Sequence, residues 1–407
     1  MKEITGAFSS AKIFTDVVEE NAVEQIQTLC DQPFTEGCKI RVMPDAHSGK
    51  GCVIGFTANL SEKVVPNIVG VDIGCGMLTV GLGNIEIDYQ ILDNIIRTYI
   101  PCGKRVHEGR IVRYPQLQDL HCYRNLKDTK RIERSLGTLG GGNHFIEIDE
   151  DESGTKYLVI HSGSRNLGHQ VAEHYQNLAY ELMQGKDELF AKQQQIIDEY
   201  KASGRKSEIQ KAIKELHRSF VAKGVDIPRE LAWLSGEYRQ MYLDDMAISQ
   251  DYAVLNRKTM AEIILTKMFG KQFDEFDSFE TVHNYIDLES GIVRKGAVSA
   301  REGEKLLIPI NMRDGSLICR GKGNPDWNYS APHGAGRLFS RNVAKEKFTV
   351  EQFSEAMKGI FTTSVGEGTL DECPMAYKSM SDIVDNIEPT AEIISTIKPK
   401  YNFKAGM

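Results

Sequence analysis

Asp72 and Cys75 stand three residues apart in the run Val69-Gly70-Val71-Asp72-Ile73-Gly74-Cys75-Gly76-Met77. A carboxylate and a thiolate at that spacing can reach one metal ion, and the glycines let the backbone bend around it. Four histidines follow, His144, His161, His283 and His333, each in its own Gly-, Asn- or Ser-rich loop. One Asp, one Cys and several isolated His suit a catalytic metal centre better than a structural one. The cysteines (30, 38, 52, 75, 102, 122, 319 and 373) are scattered, with no Cys-x-x-Cys pair. That excludes a zinc ribbon, and in a chain of this size it is not a disulfide framework. Only Cys75 has surroundings that call for chemistry.

Each histidine loop has its own character. In Leu139-Gly140-Gly141-Gly142-Asn143-His144-Phe145-Ile146-Glu147-Ile148 the glycines permit close backbone approach to a ligand. The residues after Asn143 alternate as a strand does, and Asn143 and Glu147 can orient a metal or a nucleotide. The segment Val159 to Gly168 leaves an apolar strand and enters a helix. Such a loop points N–H groups at an anion, and Arg165 offers a planar fork for phosphate. The plainer reading is a helix start capped by Ser164 or Asn166. Val282-His283-Asn284 sets a histidine beside an amide, and Ala331-Pro332-His333-Gly334-Ala335-Gly336-Arg337 puts one on a Pro/Gly bend ahead of an expected helix. His333 is open to three roles: ligand, general base or covalent nucleophile. His169 and His174 fall on different faces of one helix and read as structural. No standard nucleotide motif is present. The Gly49-Lys50 pair lacks the Gly that a Walker A loop needs at position 44 and the Ser/Thr it needs at 51, and no GxGxxG opens a βαβ unit.

The elements that must position these loops follow from periodicity. Apolar runs at 53–56, 77–80 and 157–160 predict strands. Helical spacing takes over across 171–268, with a charged arm at 186–223, breaks at Gly185, Gly204 and Gly224, and a second helix over 245–268. Strand-and-loop character returns over 280–330, with helices expected after His333 and over 350–360. The fold class is α+β: one β-rich catalytic core, a single domain over 1–407, with a helical insertion at 171–268. The composition, 41% hydrophobic and 26% charged over 407 residues, is that of an ordinary globular protein. No stretch is long and apolar enough to span a bilayer, and Met1-Lys2-Glu3-Ile4 does not begin a signal peptide, so a cytoplasmic location is expected. A net charge of −8 argues against a generic polyanion binder, but 291–341 carries nine Lys/Arg against four Asp/Glu, a local excess of +5. A basic working face is expected there.

Taken together, the chain resembles the RtcB family of RNA-splicing ligases. The resemblance rests on Met43-Pro44-Asp45-Ala46-His47-Ser48-Gly49-Lys50-Gly51, Gly70 to Met77, Gly140 to Glu147, His161 to Gly168, His283-Asn284, Arg294-Lys295-Gly296-Ala297, His333 to Arg337 and Asp371 to Lys378. It implies a ligase that joins an RNA 2′,3′-cyclic phosphate or 3′-phosphate end to a 5′-hydroxyl end, in RNA repair or tRNA splicing, using GTP and two Mn²⁺ ions. By this resemblance Cys75 bridges the two metals, Asp72 and His144 complete one site, and His161 and His283 complete the other. His333 becomes the nucleophile that takes GMP from GTP. Asn143, His144, Phe145, Ile146, Glu147, His283, Asn284, Ser316, Gly334, Ala335 and Gly336 surround the nucleotide, with Lys404 on guanine. The family leaves room for an activating protein partner. The chain departs from the family at Ile308 to Ser316, where a Pro-Gly-Ser-Met-Gly run is usual, and at Tyr401 to Met407. Both departures bear on base recognition. Two rival readings keep the same ligands: a metal-dependent phosphoesterase, which has no need of His333, and a non-catalytic RNA-binding module, which needs neither ligand set nor nucleophile.

Overall fold

The computed structural model describes residues 1–405. Its larger sheet runs in the order Lys305–Asn311, Gly315–Gly321, Ala391–Lys404, Phe145–Glu150, Lys156–Ser162, Gly76–Gly83, Ser278–Val282, and Phe361–Thr362 joins Ala391–Lys404 from the side. The two ends of this order come together: the Leu307 N–H donates to Thr281 Oγ1 at 3.1 Å. The sheet therefore curls into a near-closed barrel, filled by Met77, Phe145, Val159, Leu307, Ile318 and Ile397. A second sheet runs Lys2–Thr5, Ser10–Ile13, Ile40–His47, Ile54–Asn59, Ile292–Lys295, Asn284–Asp287, and a short ribbon pairs Ala297–Ser299 with Ser330–Pro332.

The expected helical stretch holds Arg165–Met183, Lys186–Ala202, Ile209–Ser219 and Gly236–Phe269. Gly185 (φ +82°) and Gly204 (φ +75°) stand where the first and second of these helices end, in the left-handed conformation that glycine tolerates best. The last helix starts at Gly236, ahead of the expected 245, and is 34 residues long. Its first half buries Tyr242, Leu243, Met246 and Tyr252 in the core of the second sheet. Its second half buries Met260, Ala261, Ile264 and Leu265 against the outer face of the barrel. One rigid rod thus joins the two sheets, and Asn256 and Arg257, both fully buried, sit at the changeover.

Several expectations are corrected. No helix follows His333 directly: the chain runs irregularly to Ser340, and the next helix is Arg341–Lys347. The helix expected over 350–360 closes at Ala356. Ser164 does not cap the helix after it, because its hydroxyl donates to the Ile73 carbonyl at 2.5 Å, and Asn166 lies inside that helix. The basic face over 291–341 does not form. Arg294 and Lys295 are buried and spend their donors on Ser330, Tyr285, Tyr329 and on the Cys52 and Asn67 carbonyls. Arg301, Arg313, Arg337 and Arg341 pair with carboxylates of the chain. Charges counted along a sequence predict a surface field only where the side chains reach the surface.

Candidate metal centre and nucleophile pocket

Sheet register gathers the ligands. Phe145, His161, Met77 and Thr281 stand in one row across four neighbouring strands. His144 precedes the first residue of that row, Cys75 lies two residues before Met77, and His283 follows Thr281 by two. All of them therefore reach the same end of the barrel. Backbone bonds lock the turn to its neighbour: the Cys75 N–H donates to the Asp72 carbonyl (3.1 Å), Gly74 N–H to Asn284 (2.8 Å) and His283 N–H to Cys75 (2.9 Å).

The side chains form two groups that share one atom. Cys75 Sγ lies 3.4 Å from His161 Nε2, which lies 3.0 Å from His283 Nε2. On the other side the same sulfur lies 3.5 Å from His144 Nε2, which is 3.2 Å from Asp72 Oδ2. Each trio, Cys75–His161–His283 and Asp72–Cys75–His144, keeps its ligand atoms within 4.8 Å of one another. The Leu139 carbonyl accepts from His144 Nδ1 (2.8 Å) and the Asn143 carbonyl from His161 Nδ1 (3.2 Å). Both rings are thereby fixed as the tautomer that turns an Nε2 lone pair inward.

The donor set fits a cation. Asp72 Oδ1 is a buried oxygen without a partner among the described residues. Gly163 leaves it room, since a Cβ there would sit 2.3 Å from that oxygen. Burial, with His144 next in weight, holds His161 well below the ordinary histidine range, and burial with His333 does the same to His283. Both imidazoles are kept neutral, the form that binds metal. Against the upward push of burial, the bond to His144 holds the Asp72 carboxyl below its ordinary range. Burial and the Asp72 carboxylate push the Cys75 thiol well up. A cation is what would turn that thiol into a thiolate. The cluster is a metal-binding site of mixed N, O and S character.

His333 lies beside it, with ring centroids 4.9 Å from His283. Asp45 accepts from His333 Nδ1 at 2.6 Å and from its backbone N–H at 3.1 Å. The carboxylate thus fixes the tautomer and leaves the Nε2 lone pair free. Asp45 is fully buried in the strand Ile40–His47, and Gly336 (φ +77°) is forced by contact with it, since a Cβ would fall 2.5 Å from the Asp45 carbonyl oxygen. Sequence reasoning quoted Asp45 without giving it a role. The signal was there: a carboxylate directly after the apolar run Val42-Met43-Pro44 needs a partner.

A cavity of about 540 Å³ opens over His161, His283 and His333. Asn143, Phe145, Glu147, Asn284, Gly334, Ala335, Gly336 and Lys404 line it as well. Burial raises Glu147 to about 7, although Lys404 pulls it down. The Lys404 ammonium is already paired with Glu372 at 2.6 Å. Against burial, Lys404 and Arg341 draw Glu372 down to about 2. Three of the residues expected around the nucleotide do not line the cavity, His144 among them because it turns into the ligand cluster. Ile146 points to the barrel's outer core because strand alternation puts only Phe145 and Glu147 on the cavity side. Ser316 is fully buried opposite Pro309 and off the cavity wall. Arg165 does not stand ready for phosphate: its guanidinium bonds Thr138 Oγ1 (3.2 Å) and the Gly103 carbonyl (3.4 Å) and fills the space over Gly140.

The family model described as "tRNA-splicing ligase RtcB" matches residues 25–122 and 118–405. The chain is 31% identical over 420 residues to the RNA-splicing ligase RtcB of Escherichia coli strain K12, covering 94% of this chain and 93% of that protein. The chain belongs to the RtcB family. It is also 27% identical to the tRNA-splicing ligase RtcB of Archaeoglobus fulgidus, over 96% of this chain and 92% of that protein. A third relative, the tRNA-splicing ligase RtcB of Aeropyrum pernix, is 26% identical over 84% of this chain and 82% of its own length. Membership of the RtcB family thus spans the whole constellation from Asp45 to Lys404. No helix among the described residues is long and apolar enough to cross a membrane.

Proposed function

We propose that this chain, an RNA ligase of the RtcB type, joins an RNA 3′-phosphate or 2′,3′-cyclic phosphate end to a 5′-hydroxyl end at the expense of GTP. In this reading Asp72, Cys75 and His144 hold one Mn²⁺, and Cys75, His161 and His283 hold a second. Bound there, the ions would supply Lewis-acid neutralisation of phosphate charge. The observation that carries the reading is the Asp45–His333 pair, set against His283. An imidazole with its Nδ1 proton fixed and its Nε2 free can serve as nucleophile or as general base, and membership of the RtcB family supports the nucleophile.

The chemistry of the residues follows from that geometry. His333 Nε2 attacks the α-phosphorus of GTP; a P–N bond forms, the bond to the β-phosphate oxygen breaks, and pyrophosphate leaves. Asp45 keeps the Nδ1 proton in place and stabilises the positive charge that the ring gains. The guanylyl group passes to an oxygen of the RNA 3′-phosphate, which breaks the P–N bond and restores the imidazole. The 5′-hydroxyl then attacks the activated 3′-phosphorus, forms the phosphodiester and expels GMP. Glu147 and Lys404 supply polar groups for the base. The departing segment bears on the same choice, because Pro309, Ile310, Asn311 and Met312 form part of the cavity wall.

The test is incubation of wild type and His333→Ala with α-³²P-labelled GTP and Mn²⁺, followed by a denaturing gel. A label that is acid-labile, alkali-stable and absent from the variant is expected. Label from ATP alone would overturn the nucleotide assignment. No label from either, with cyclic phosphates still opened, would move the function to a phosphoesterase.

A further inference from the structure

Arg257 lies outside the ligand set, the nucleophile and the cavity wall, yet it is fully buried in the middle of the long helix. Its Nη1 donates to the Gly74 carbonyl at 2.8 Å and to the Ser162 carbonyl at 2.8 Å, and its Nε to Glu280 Oε2 at 2.8 Å. Gly74 lies between Asp72 and Cys75, Ser162 follows His161, and Glu280 is on the strand that runs into His283. The neighbouring Asn256 takes the remaining segment. Its Oδ1 accepts from the Thr138 N–H (3.1 Å), and its Nδ2 reaches the Thr138 carbonyl (3.2 Å), Ser162 Oγ (3.1 Å) and the Gly163 carbonyl (3.2 Å). Ser162 Oγ in turn donates to the Leu139 carbonyl, the one that holds His144 Nδ1.

From these contacts we infer that Arg257 is the positioning residue of the metal centre: one guanidinium, with Asn256 beside it, holds the four ligand-bearing segments in register from below. The inference rests on the two-ion reading of the site. Ligand segments that start up to about 200 residues apart have no local reason to meet, and one rigid guanidinium plane that puts Nη1 on two of them and Nε on a third, with Nη2 unpartnered among the described residues, sets their spacing in a way a flexible ammonium cannot. These contacts also explain why the charge is buried. A salt bridge to Glu280 alone would not justify removing a guanidinium from water, whereas three acceptors on three separate segments give the site its shape.

The test compares Mn²⁺ uptake by metal-free wild type, Arg257→Lys and Asp245→Asn, using calorimetric titration and the electron paramagnetic resonance spectrum of the bound ions. Asp245 lies on the same helix and holds the His121 and Cys122 N–H groups and the Tyr175 hydroxyl, none of them on a ligand segment. It controls for simple loosening of the fold. Arg257→Lys is expected to weaken Mn²⁺ binding by about 10- to 100-fold and to lose the spin-coupled signal of a close pair, with the metal-free melting curve still cooperative. Asp245→Asn is expected to keep both affinity and signal. If Arg257→Lys does not fold, Glu280→Gln should still weaken Mn²⁺ binding. Wild-type affinity and coupling in Arg257→Lys, or in Glu280→Gln where that variant stands in, would overturn the inference and leave the parent reading intact. A wild type that takes up no Mn²⁺ would overturn both.

Discussion

Two side chains set the chemistry at the scale of single residues, and both owe their state to one neighbour. In the proposed reaction His333 can act as the nucleophile only while Asp45 holds its Nδ1 proton. Asp45→Asn is expected to slow guanylylation by about 10²- to 10⁴-fold while leaving Mn²⁺ stoichiometry unchanged, as read by single-turnover labelling beside a metal titration. Cys75 is the second case. Burial and Asp72 hold its thiol well above the ordinary range, so the metal-free site carries a proton that binding must expel. Mn²⁺ affinity should therefore rise with pH, by about tenfold per unit between pH 6 and 8, and calorimetry in buffers of different ionisation enthalpy should count one proton released. The candidate ligands were legible from residue type and loop composition, whereas which histidines are ligands and which is the nucleophile came from the resemblance to the RtcB family. Arg257 and Asn256 were not legible. In sequence they are two polar positions in a helical pattern, and only the fold reveals that they face inward.

Strands divide labour by face at the scale of elements. On Phe145–Glu150 the even positions pack outward into the core while Phe145, Glu147 and Asp149 turn into the barrel. Asp149 is wholly buried there, with neither carboxyl oxygen partnered among the described residues. Burial and then Glu147 raise its carboxyl well above the ordinary range. The folded state thus keeps a proton that the unfolded chain gives up near pH 4, and the stability this provides is lost as pH rises through the folded value. Asp149→Asn removes the penalty. It should be more stable than wild type by about 1–3 kcal/mol at pH 8, with the gap closing toward pH 4, as urea midpoints at both pH values would report. The strand Ala391–Lys404 was the element hardest to read. Pro399 interrupts its alternation at a bulge, and its partner Phe145–Glu150 lies some 250 residues earlier, beyond any local pattern.

At the scale of the whole molecule the metal centre is a knot tying distant lengths of chain. The candidate ligands are spread from residue 72 to residue 283, with His333 beside them, so an ion held by them would bind the folded state alone. Mn²⁺ at a hundred times its dissociation constant should add about 2.7 kcal/mol, read as a rise in melting temperature that EDTA reverses and that Cys75→Ala abolishes. The α+β class could be read from periodicity because helical and strand patterns separate cleanly near residues 171 and 268. The near-closed barrel could not, since nothing local in Thr281 or Leu307 announces that their strands meet.

The place of Ala391–Lys404 in the sheet has a further consequence. It lies between the hairpin Lys305–Gly321 and the four strands that lead to the metal site, so apart from the Leu307–Thr281 seam the two parts of the barrel are joined through it. During synthesis every candidate metal ligand and His333 emerge before that strand does. A nascent chain stopped short of residue 391 would carry all those side chains but not Lys404, which this strand adds to the cavity wall. An incomplete copy would therefore gather its candidate ligands without the strand that ties the hairpin to the rest of the sheet.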